Sequence, residues 1–256
     1  IMLGLGHSLS TTGPPSSDFE LTDVSGLEIW LKYNEGFEAG LNNGEVIAAW
    51  QDSSGNANHA VQTATEFMPT YLNGAAEFFN GDSANKLGFT EIESVTQSIF
   101  IVIEADTDEV MTMFSSSQNS SVFYKINQSG TIEFRIRKGT TRTEDSSDLT
   151  TIQLQPFIND STPMFICFNQ KAGLDLDVYI AGNGTTELHS HDDYGVQPSG
   201  GTNTALKIDQ IGTQAATTRP FDGRILEFAV YNRTLSQDEV VAIRENITTR
   251  TGVNIG

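Results

Sequence analysis

Apolar and polar residues alternate with a period of two through most of the chain. In residues 132–137, isoleucine and phenylalanine alternate with glutamate and arginine, which indicates a strand with one face in solvent. Residues 98–104 and 163–169 are apolar on both faces, as is typical of strands covered on both sides. Turn-forming segments such as residues 127–130 separate these stretches. About ten to twelve short strands separated by turns predict an all-β protein, an antiparallel β-sandwich.

Residues 224–232, which read RILEFAVYN, have the pattern of a central strand. Alternation places Leu226, Phe228 and Val230 on one face of this strand. The opposite face then holds Ile225, Ala229 and Tyr231. Because both faces are mostly apolar, we expect both to be covered.

One short C-terminal helix is predicted directly after this strand. Ser236 and Glu239 have the spacing of a capping box, in which each side chain accepts a hydrogen bond from the backbone amide of the other residue. Gly252 stands where a helix C-cap is preferred. The helix has one apolar stripe, formed by Val240, Ile243 and Ile247. Such a helix is marginal alone, so we expect it to pack on a sheet.

The domain organisation follows from composition. Residues 1–19 are rich in Gly, Ser, Thr and Pro and lack periodicity, so they are predicted to form an N-terminal arm or linker. Without a basic segment they do not have the pattern of a secretory signal. Residues 20–256 contain no break in composition and are predicted to form one domain.

The charge balance limits the partners. The chain has 33 acidic and 14 basic residues and a formal net charge of −19, which argues against nucleic acids and anionic membranes. No apolar run approaches the roughly 20 residues that a membrane span requires. Cys167, the only cysteine, lies in an apolar segment, and we expect a buried, unreactive thiol.

Several motifs recur in the order and spacing of a known family. They are residues 26–33 (GLEIWLKY), 50–60 (WQDSSGNANHA), 78–82 (FFNGD), 177–184 (DVYIAGNG) and 211–213 (IGT), followed by the strand and helix already described. In these motifs the chain resembles the concanavalin A-like lectin/glucanase superfamily, in its laminin-G-like branch. The resemblance implies a jelly-roll β-sandwich over residues 20–256. It does not settle the function, because this fold serves lectins, hydrolases, adhesion modules and structural parts.

A second resemblance concerns the start of the chain. Residues 2–6 (MLGLG) and 8–10 (SLS), followed by residues 24–27 (VSGL), are similar to structural proteins of marine tailed bacteriophages. This similarity implies a component of a virion that contacts other virion proteins through its N-terminal arm. Symmetric assembly is usual for such components, so a homo-oligomer is expected.

Glu104, Asp106 and Glu109 match the E-x-D-x-x-E spacing of laminarinase-type glucanases. Retaining glycoside hydrolysis needs two carboxyl groups about 5–5.5 Å apart, which a continuous strand can supply. Here the apolar run ends at Ile103, so these residues are interpreted as the acidic loop after a strand. No catalytic residue is predicted.

Two segments have oxygen- or nitrogen-rich patterns that a metal ion favours. Asp52, Ser54, Asn56 and Asn58 place side-chain oxygens at alternate positions, which suits either calcium or a hydrogen-bonded Asx turn, and the turn is favoured. His189 and His191, followed by two aspartates, suit either a metal site or a solvated loop. Calcium is the only cofactor considered.

The residues that would bind a sugar are left undetermined. Tryptophan side chains can stack on sugar rings, but Trp30 and Trp50 both lie in apolar strand patterns, which favours packing in the core. Tyr124, Tyr179 and Tyr194 are equally suitable if exposed.

These observations favour a non-enzymatic structural protein of a virion, such as a capsid decoration, fibre or appendage component, with a possible role in adhesion to cell-surface glycans. One alternative is an extracellular carbohydrate-binding module of a bacterium. The other is a glucanase-like glycoside hydrolase.

Overall fold

The computed structural model describes residues 19–79, 84–105, 111–116, 122–126, 132–138, 141–143, 163–171, 176–182, 184–191, 206–213 and 219–255. The strands are β1 Leu27–Leu31, β2 Ala49–Trp50, β3 Ala60–Val61, β4 Thr70–Leu72, β5 Ala75–Phe78, β6 Leu87–Ser94, β7 Gln97–Ala105, β8 Met111–Ser115, β9 Val122–Ile126, β10 Ile132–Lys138, β11 Thr141–Thr143, β12 Met164–Gln170, β13 Leu176–Gly182, β14 Thr185–His191, β15 Leu206–Ile211 and β16 Gly223–Tyr231. Two 3-10 turns, Leu21–Asp23 and Thr65–Phe67, and one helix, α1 Gln237–Thr251, complete the described elements.

The strands form two antiparallel sheets. Sheet A has the order β14-β13-β12-β7-β16-β5-β4, and β1 pairs with the second half of β16. Sheet B has the order β11-β10-β9-β8-β15-β6-β3-β2. The two sheets pack face to face, and α1 covers the outer face of sheet A. This arrangement confirms the predicted all-β antiparallel sandwich, a jelly roll with one C-terminal helix. The predicted arm lies outside the described residues except for residue 19.

The protein has two apolar cores. The larger lies between the sheets and includes Trp50, Phe114 and Phe228, each fully buried. The smaller lies between sheet A and α1 and includes Phe165, Tyr231 and Ile243. The middle of sheet A is therefore covered on both faces, which explains why its central strands β7, β12 and β16 are mostly apolar on both faces.

A β-bulge in β16 corrects the predicted faces of this strand. The register shifts between Ile225 and Glu227, because a bulge inserts one extra residue and moves the following side chains to the other face. Consequently Ile225, not Leu226, shares the inter-sheet core with Phe228 and Val230. Leu226 instead packs under α1 with Ala229 and Tyr231.

The predicted helix is confirmed in detail. Ser236 accepts a hydrogen bond from the amide of Glu239, and the Glu239 carboxylate accepts one from the amide of Ser236 at 2.8 Å. Gly252 ends the helix in the left-handed conformation, at φ 70°. The predicted stripe of Val240, Ile243 and Ile247 is buried against sheet A.

Candidate functional site

The outer face of sheet B differs in chemistry from the outer face of sheet A. Between β3, β6 and β15 it carries polar side chains and an open groove. A β-bulge in β15, seen as a register shift between Ile208 and Gln210, helps to form this groove. The bulge gives β15 one extra residue, so two consecutive side chains lie on the same side of the sheet. Ile208 and Ile211 pack in the inter-sheet core, while the intervening Asp209 and Gln210 both line the groove.

Gly88 lies in β6 in the middle of the groove, paired with Val61 of β3 and with Gln210 of β15. A β-carbon built on Gly88 would approach no atom more closely than the Asp209 carbonyl oxygen, at 3.7 Å, and the Val61 carbonyl oxygen, at 3.8 Å. A larger residue would therefore fit the backbone, and its side chain would occupy the groove. Glycine inside a strand marks a bulge, a tight bend or a place where a ligand or another backbone approaches closely, and Gly88 lies beside the bulge of β15 as well as in the groove.

The part of the groove around Gly88 is a pocket, which we call the first pocket. Its other lining residues are mostly polar, and one of them is an exposed apolar side chain. Val61 is 47% exposed, and His59 and Lys86 also line the pocket. The pocket has a volume of about 510 Å³. His59 Nδ1 accepts a hydrogen bond from the Asp52 amide at 3.0 Å, so the neutral imidazole carries its proton on Nε2.

Hydrogen bonds to Ser115 and Thr213 fix the side-chain amide of Gln210. Gln210 Nε2 donates to Ser115 Oγ at 2.8 Å, and the Ser115 hydroxyl donates to the Thr213 carbonyl at 2.7 Å. Gln210 is almost fully buried, so the position of its side chain is set by these partners. Gln210 therefore supports the floor of the groove, and its amide donates its hydrogen bonds within the protein.

A second pocket, of about 470 Å³, continues the groove along β6. Thr90 lines both pockets, and its backbone amide donates to Asn58 Oδ1 at 2.7 Å. The other lining side chains are polar or acidic apart from Ala57 and Ile92, and include Glu28, Asn56, Glu91, Glu93 and Asn232. We call the two pockets together the sheet B groove.

The loop with the candidate calcium ligands forms the rim of this groove. Asp52 Oδ1 accepts from the amides of Trp30 and Ser54, both at 2.8 Å. Asp52 Oδ2 accepts from the Ser54 hydroxyl at 2.7 Å and from the Asn58 amide at 3.0 Å. Asn56 Nδ2 donates to the Leu27 carbonyl at 2.8 Å. These bonds are those of the structural turn that the sequence favoured, and the calcium site stays a prediction.

Among the described residues, no group of three or more His, Cys, Asp or Glu side chains lies close enough to hold a metal ion. His189 and His191 lie in β14, but their side chains and the two following aspartates are outside the described part of the structure. The metal hypothesis for that segment is therefore untested.

Glu104 is the last residue of the strand predicted over residues 98–104, and the structure confirms that strand. It lies within β7, where Ile103 and Ala105 face the inter-sheet core and Glu104 faces the opposite side. It is buried and accepts a hydrogen bond from Arg224 Nε at 2.8 Å. Asp106 and Glu109 lie outside the described residues. Glu104 thus lies on the helix side of sheet A, away from the sheet B groove.

The aromatic side chains considered for sugar contact are mostly buried. Trp50 is fully buried in the inter-sheet core, and Trp30 is 3% exposed under α1, as the core interpretation predicted. Tyr179 was considered as an exposed contact, but it packs under α1 and is only 5% exposed. The side chain of Tyr124 and all of Tyr194 fall outside the described set. Cys167 is buried as predicted, and burial raises the pKa of its thiol.

The sequence did not indicate the groove residues. Gly88, Asp209 and Gln210 lie in segments whose pattern showed only short strands. The one available signal was the pair of polar residues between Ile208 and Ile211, which breaks the alternation of a strand and marks the bulge.

The fold and the groove define a lectin-like jelly roll. The family model described as the concanavalin A-like lectin/glucanases superfamily matches residues 80–241, which is more than half of the chain. The chain belongs to this superfamily, and the resemblance inferred from its motifs is confirmed.

Solved structures with the same fold include both enzymes and binding domains. An arabinofuranosidase complexed with arabinofuranosyl-α-1,2-xylobiose is 13% identical, with a TM-score of 0.56 over 82% of this chain and 52% of that chain. Domain 4 of AbnA, an extracellular GH43 arabinanase from Geobacillus stearothermophilus, in complex with arabinotriose, is 15% identical, with a TM-score of 0.50 over 86% of this chain and 98% of that domain. The binding domain of botulinum neurotoxin DC is 14% identical, with a TM-score of 0.53 over 89% and 52% of the two chains.

At these identities the similarity establishes the fold alone. The chain spans about half the length of the arabinofuranosidases that it matches. A comparison with curated protein sequences gave no match. None of the helices in the described ranges is long and apolar enough to cross a membrane.

Proposed function

We propose that this protein is a non-catalytic glycan-binding domain and that the sheet B groove is its binding site. The observation that carries the proposal is the bare backbone at Gly88, enclosed by hydrogen-bonding side chains and by one exposed apolar residue, Val61. Sugars present hydroxyl groups that need both donors and acceptors, together with C–H surfaces that pack on apolar side chains. The groove provides both kinds of contact.

Each group in the groove has a role in this proposal. The backbone at Gly88 lets a sugar ring lie close to the sheet, and Val61 contacts its apolar face. The Asp209 carboxylate accepts hydrogen bonds from hydroxyl groups, while His59 and Lys86 donate to them. A groove rather than an enclosed pocket suits a chain of several sugars.

The geometry of Glu104 supports a non-enzymatic role. A retaining glycosidase needs a second carboxylate near the first, facing the bound sugar. Glu104 instead faces the helix side of sheet A and pairs with Arg224, so its charge is already balanced. Mutation of Glu104 to glutamine is expected to leave glycan binding unchanged.

We further propose that the domain is part of a virion, where residues 1–19 contact other virion proteins and where copies assemble as a homo-oligomer. The support is the resemblance of the start of the chain to structural proteins of marine tailed bacteriophages. The net charge of −19 would keep such a surface from binding nucleic acid. An extracellular bacterial module is the alternative. Mass spectrometry of purified particles tests the proposal, because absence of this chain from every particle would contradict it.

Binding to a glycan array, comparing the native protein with Gly88→Leu, tests the proposed site. The leucine side chain would fill the groove, so we expect binding to fall by at least about tenfold. Val95→Leu is the control, because Val95 is 52% exposed and is not a groove residue. Both variants should retain the circular dichroism spectrum of the native protein. A folded Gly88→Leu protein with undiminished glycan binding would show that the site is elsewhere.

A further inference from the structure

The two pockets of the sheet B groove differ in charge. In the first pocket, Lys86 and Asp209 carry opposite charges. The second pocket is lined by the three carboxylates of Glu28, Glu91 and Glu93, and no Lys or Arg is among its lining residues. Any acidic ligand lying along β6 would therefore meet carboxylates at this end of the groove.

Lys207 of β15 is the cation that the structure places against this pocket, and two of the carboxylates hold it. Its Nζ lies 2.7 Å from Glu91 Oε1 and 3.2 Å from Glu93 Oε2. Hydrogen bonds from Lys207 to Glu91 and Glu93 raise the pKa of the ammonium group, which keeps it charged. In the described part of the chain, Lys207 is the cation that pairs with carboxylates of this pocket, and Glu91 and Glu93 already balance its charge.

Asn232 holds the third carboxylate. Its side-chain amide donates to Glu28 Oε1, and Asn232 also lines the second pocket. An amide orients the carboxylate without neutralising it, so the charge of Glu28 remains. The remaining polar groups of this pocket, Asn56, Asn58 and Thr90, are uncharged, and the two asparagine amides form hydrogen bonds within the protein.

We infer that the sheet B groove selects neutral glycans and rejects those that carry uronic acid, sialic acid or sulfate groups, with Glu28, Glu91 and Glu93 as the selecting residues. This inference rests on the proposed function. The physical reason is repulsion between like charges, which weakens the binding of a wrong ligand without any contribution to the right one. The net charge of −19 adds to the repulsion at low ionic strength.

The ion pairs of Lys207 predict which variant should reverse the selectivity. When Glu91 and Glu93 are changed together to glutamine, two negative charges are lost and the Lys207 ammonium loses both of its ionic partners. An ammonium without a carboxylate partner attracts anions. The double variant should therefore accept acidic glycans that the native protein rejects.

The experiment measures affinity for matched pairs of oligosaccharides, in which each neutral chain is compared with the same chain oxidised to the carboxylate at C6. Cellotetraose with its C6-oxidised form is one such pair, and the array supplies others. The native protein should bind at least one neutral chain and should bind its acidic form at least about tenfold more weakly at low salt. The ratio of the affinity for the neutral chain to the affinity for its acidic form should fall several-fold in 0.5 M NaCl, because salt screens exposed charges.

The double variant Glu91→Gln with Glu93→Gln should bring the ratio of neutral to acidic affinity close to one. The control is Asp238→Asn with Glu245→Gln, which removes two carboxylates from α1 on the opposite side of the sandwich and should leave the ratio unchanged. An equal change in both double variants would mean that overall charge, not the second pocket, determines selectivity, and would overturn the inference.

The outcomes separate the inference from the proposed function. If the native protein binds acidic chains as well as neutral ones and Gly88→Leu abolishes both, the groove binds glycans but the selectivity is refuted. If no chain of either kind binds, or if Gly88→Leu has no effect, the proposed function fails and the inference fails with it.

Discussion

The two sheets each contain a β-bulge that turns an acidic residue away from the inter-sheet core, and different elements lie over the two residues. In β16 the bulge places Glu227 under α1, where it is fully buried. In β15 the bulge places Asp209 in the sheet B groove. Glu227 is thus enclosed under the helix, whereas Asp209, although only 9% exposed, borders an open groove.

Glu227 is held by a set of partners that seals the helix onto sheet A. Arg250 Nη2 donates to both carboxylate oxygens, at 2.6 and 2.7 Å, and Trp30 Nε1 donates to Oε1 at 2.7 Å. The Arg250 guanidinium also lies 5.5 Å from the centre of the Trp30 ring. Burial raises the pKa of Glu227, and the charge of Arg250 opposes this effect.

This comparison indicates how to distinguish structural from functional polar groups in a sandwich. Glu227 has its hydrogen bonds within the protein and is covered by a helix. The groove on sheet B is open, its floor lacks a side chain at Gly88, and Val61 is exposed beside it. A polar group that a bulge turns outwards is a candidate for binding only where nothing covers it.

The largest effect is expected from removal of the partner of Glu227. Arg250→Ala leaves a buried carboxylate without its cation, and this change should lower the free energy of unfolding by about 3–5 kcal/mol. Urea unfolding followed by tryptophan fluorescence measures the loss. The combined variant Glu227→Gln with Arg250→Met removes both charges and should recover part of the stability. A loss below about 1 kcal/mol for Arg250→Ala would mean that this pair does not hold the helix.

An intermediate effect is expected at the rim of the groove. Asp52→Ala removes an acceptor of four hydrogen bonds, so unfolding free energy should fall by about 1–3 kcal/mol. If the loop is only a structural turn, this loss should be the same in calcium and in EDTA. Asp222→Ala, in the turn before β16, is the control for loss of an aspartate. A melting temperature of the native protein that rises on addition of calcium would instead support the calcium site.

The smallest effect is expected at the N-terminus of α1. The hydrogen bond from Arg233 is the main cause that lowers the pKa of Glu239, to about 2. A carboxylate whose pKa is lower in the folded state stabilises the protein above the unfolded pKa, and this stability is lost as pH falls from about 4.5 towards 2. Because the side chain is 31% exposed, solvent screening limits the contribution to about 1 kcal/mol.

Unfolding of the native protein and of Glu239→Gln, measured at intervals between pH 7 and pH 2, tests this prediction. The stability difference between the two should shrink as pH falls, because protonated Glu239 resembles glutamine. Glu227 should act with the opposite sign, since a raised pKa in the folded state means that its charge costs stability at neutral pH. A pH-independent difference for Glu239 would contradict the role assigned to Arg233.

The local patterns predicted the elements better than their faces. The capping box of Ser236 and Glu239 and the apolar stripe of α1 follow from short-range spacing, so they could be identified from the sequence. The face of Leu226 was predicted wrongly because a bulge depends on the partner strand, which lies far away in the chain. The strand over residues 98–104 was predicted correctly, but the pairing of Glu104 with Arg224 could not be predicted because the two residues are far apart in the chain.

The amino-acid sequence by itself determined the class of this protein: alternation and turn residues specify the strands, double-sided apolar segments specify the covered sheet, and the motifs specify the superfamily. Only the tertiary structure decided which polar residues are sealed and which are open to a ligand. Gly88, Val61 and Asp209 come from three strands that are distant in sequence and meet only when sheet B forms. The alternation of a strand predicts which side chains face away from the inter-sheet core. It does not predict whether a helix or a loop from a distant part of the chain covers them.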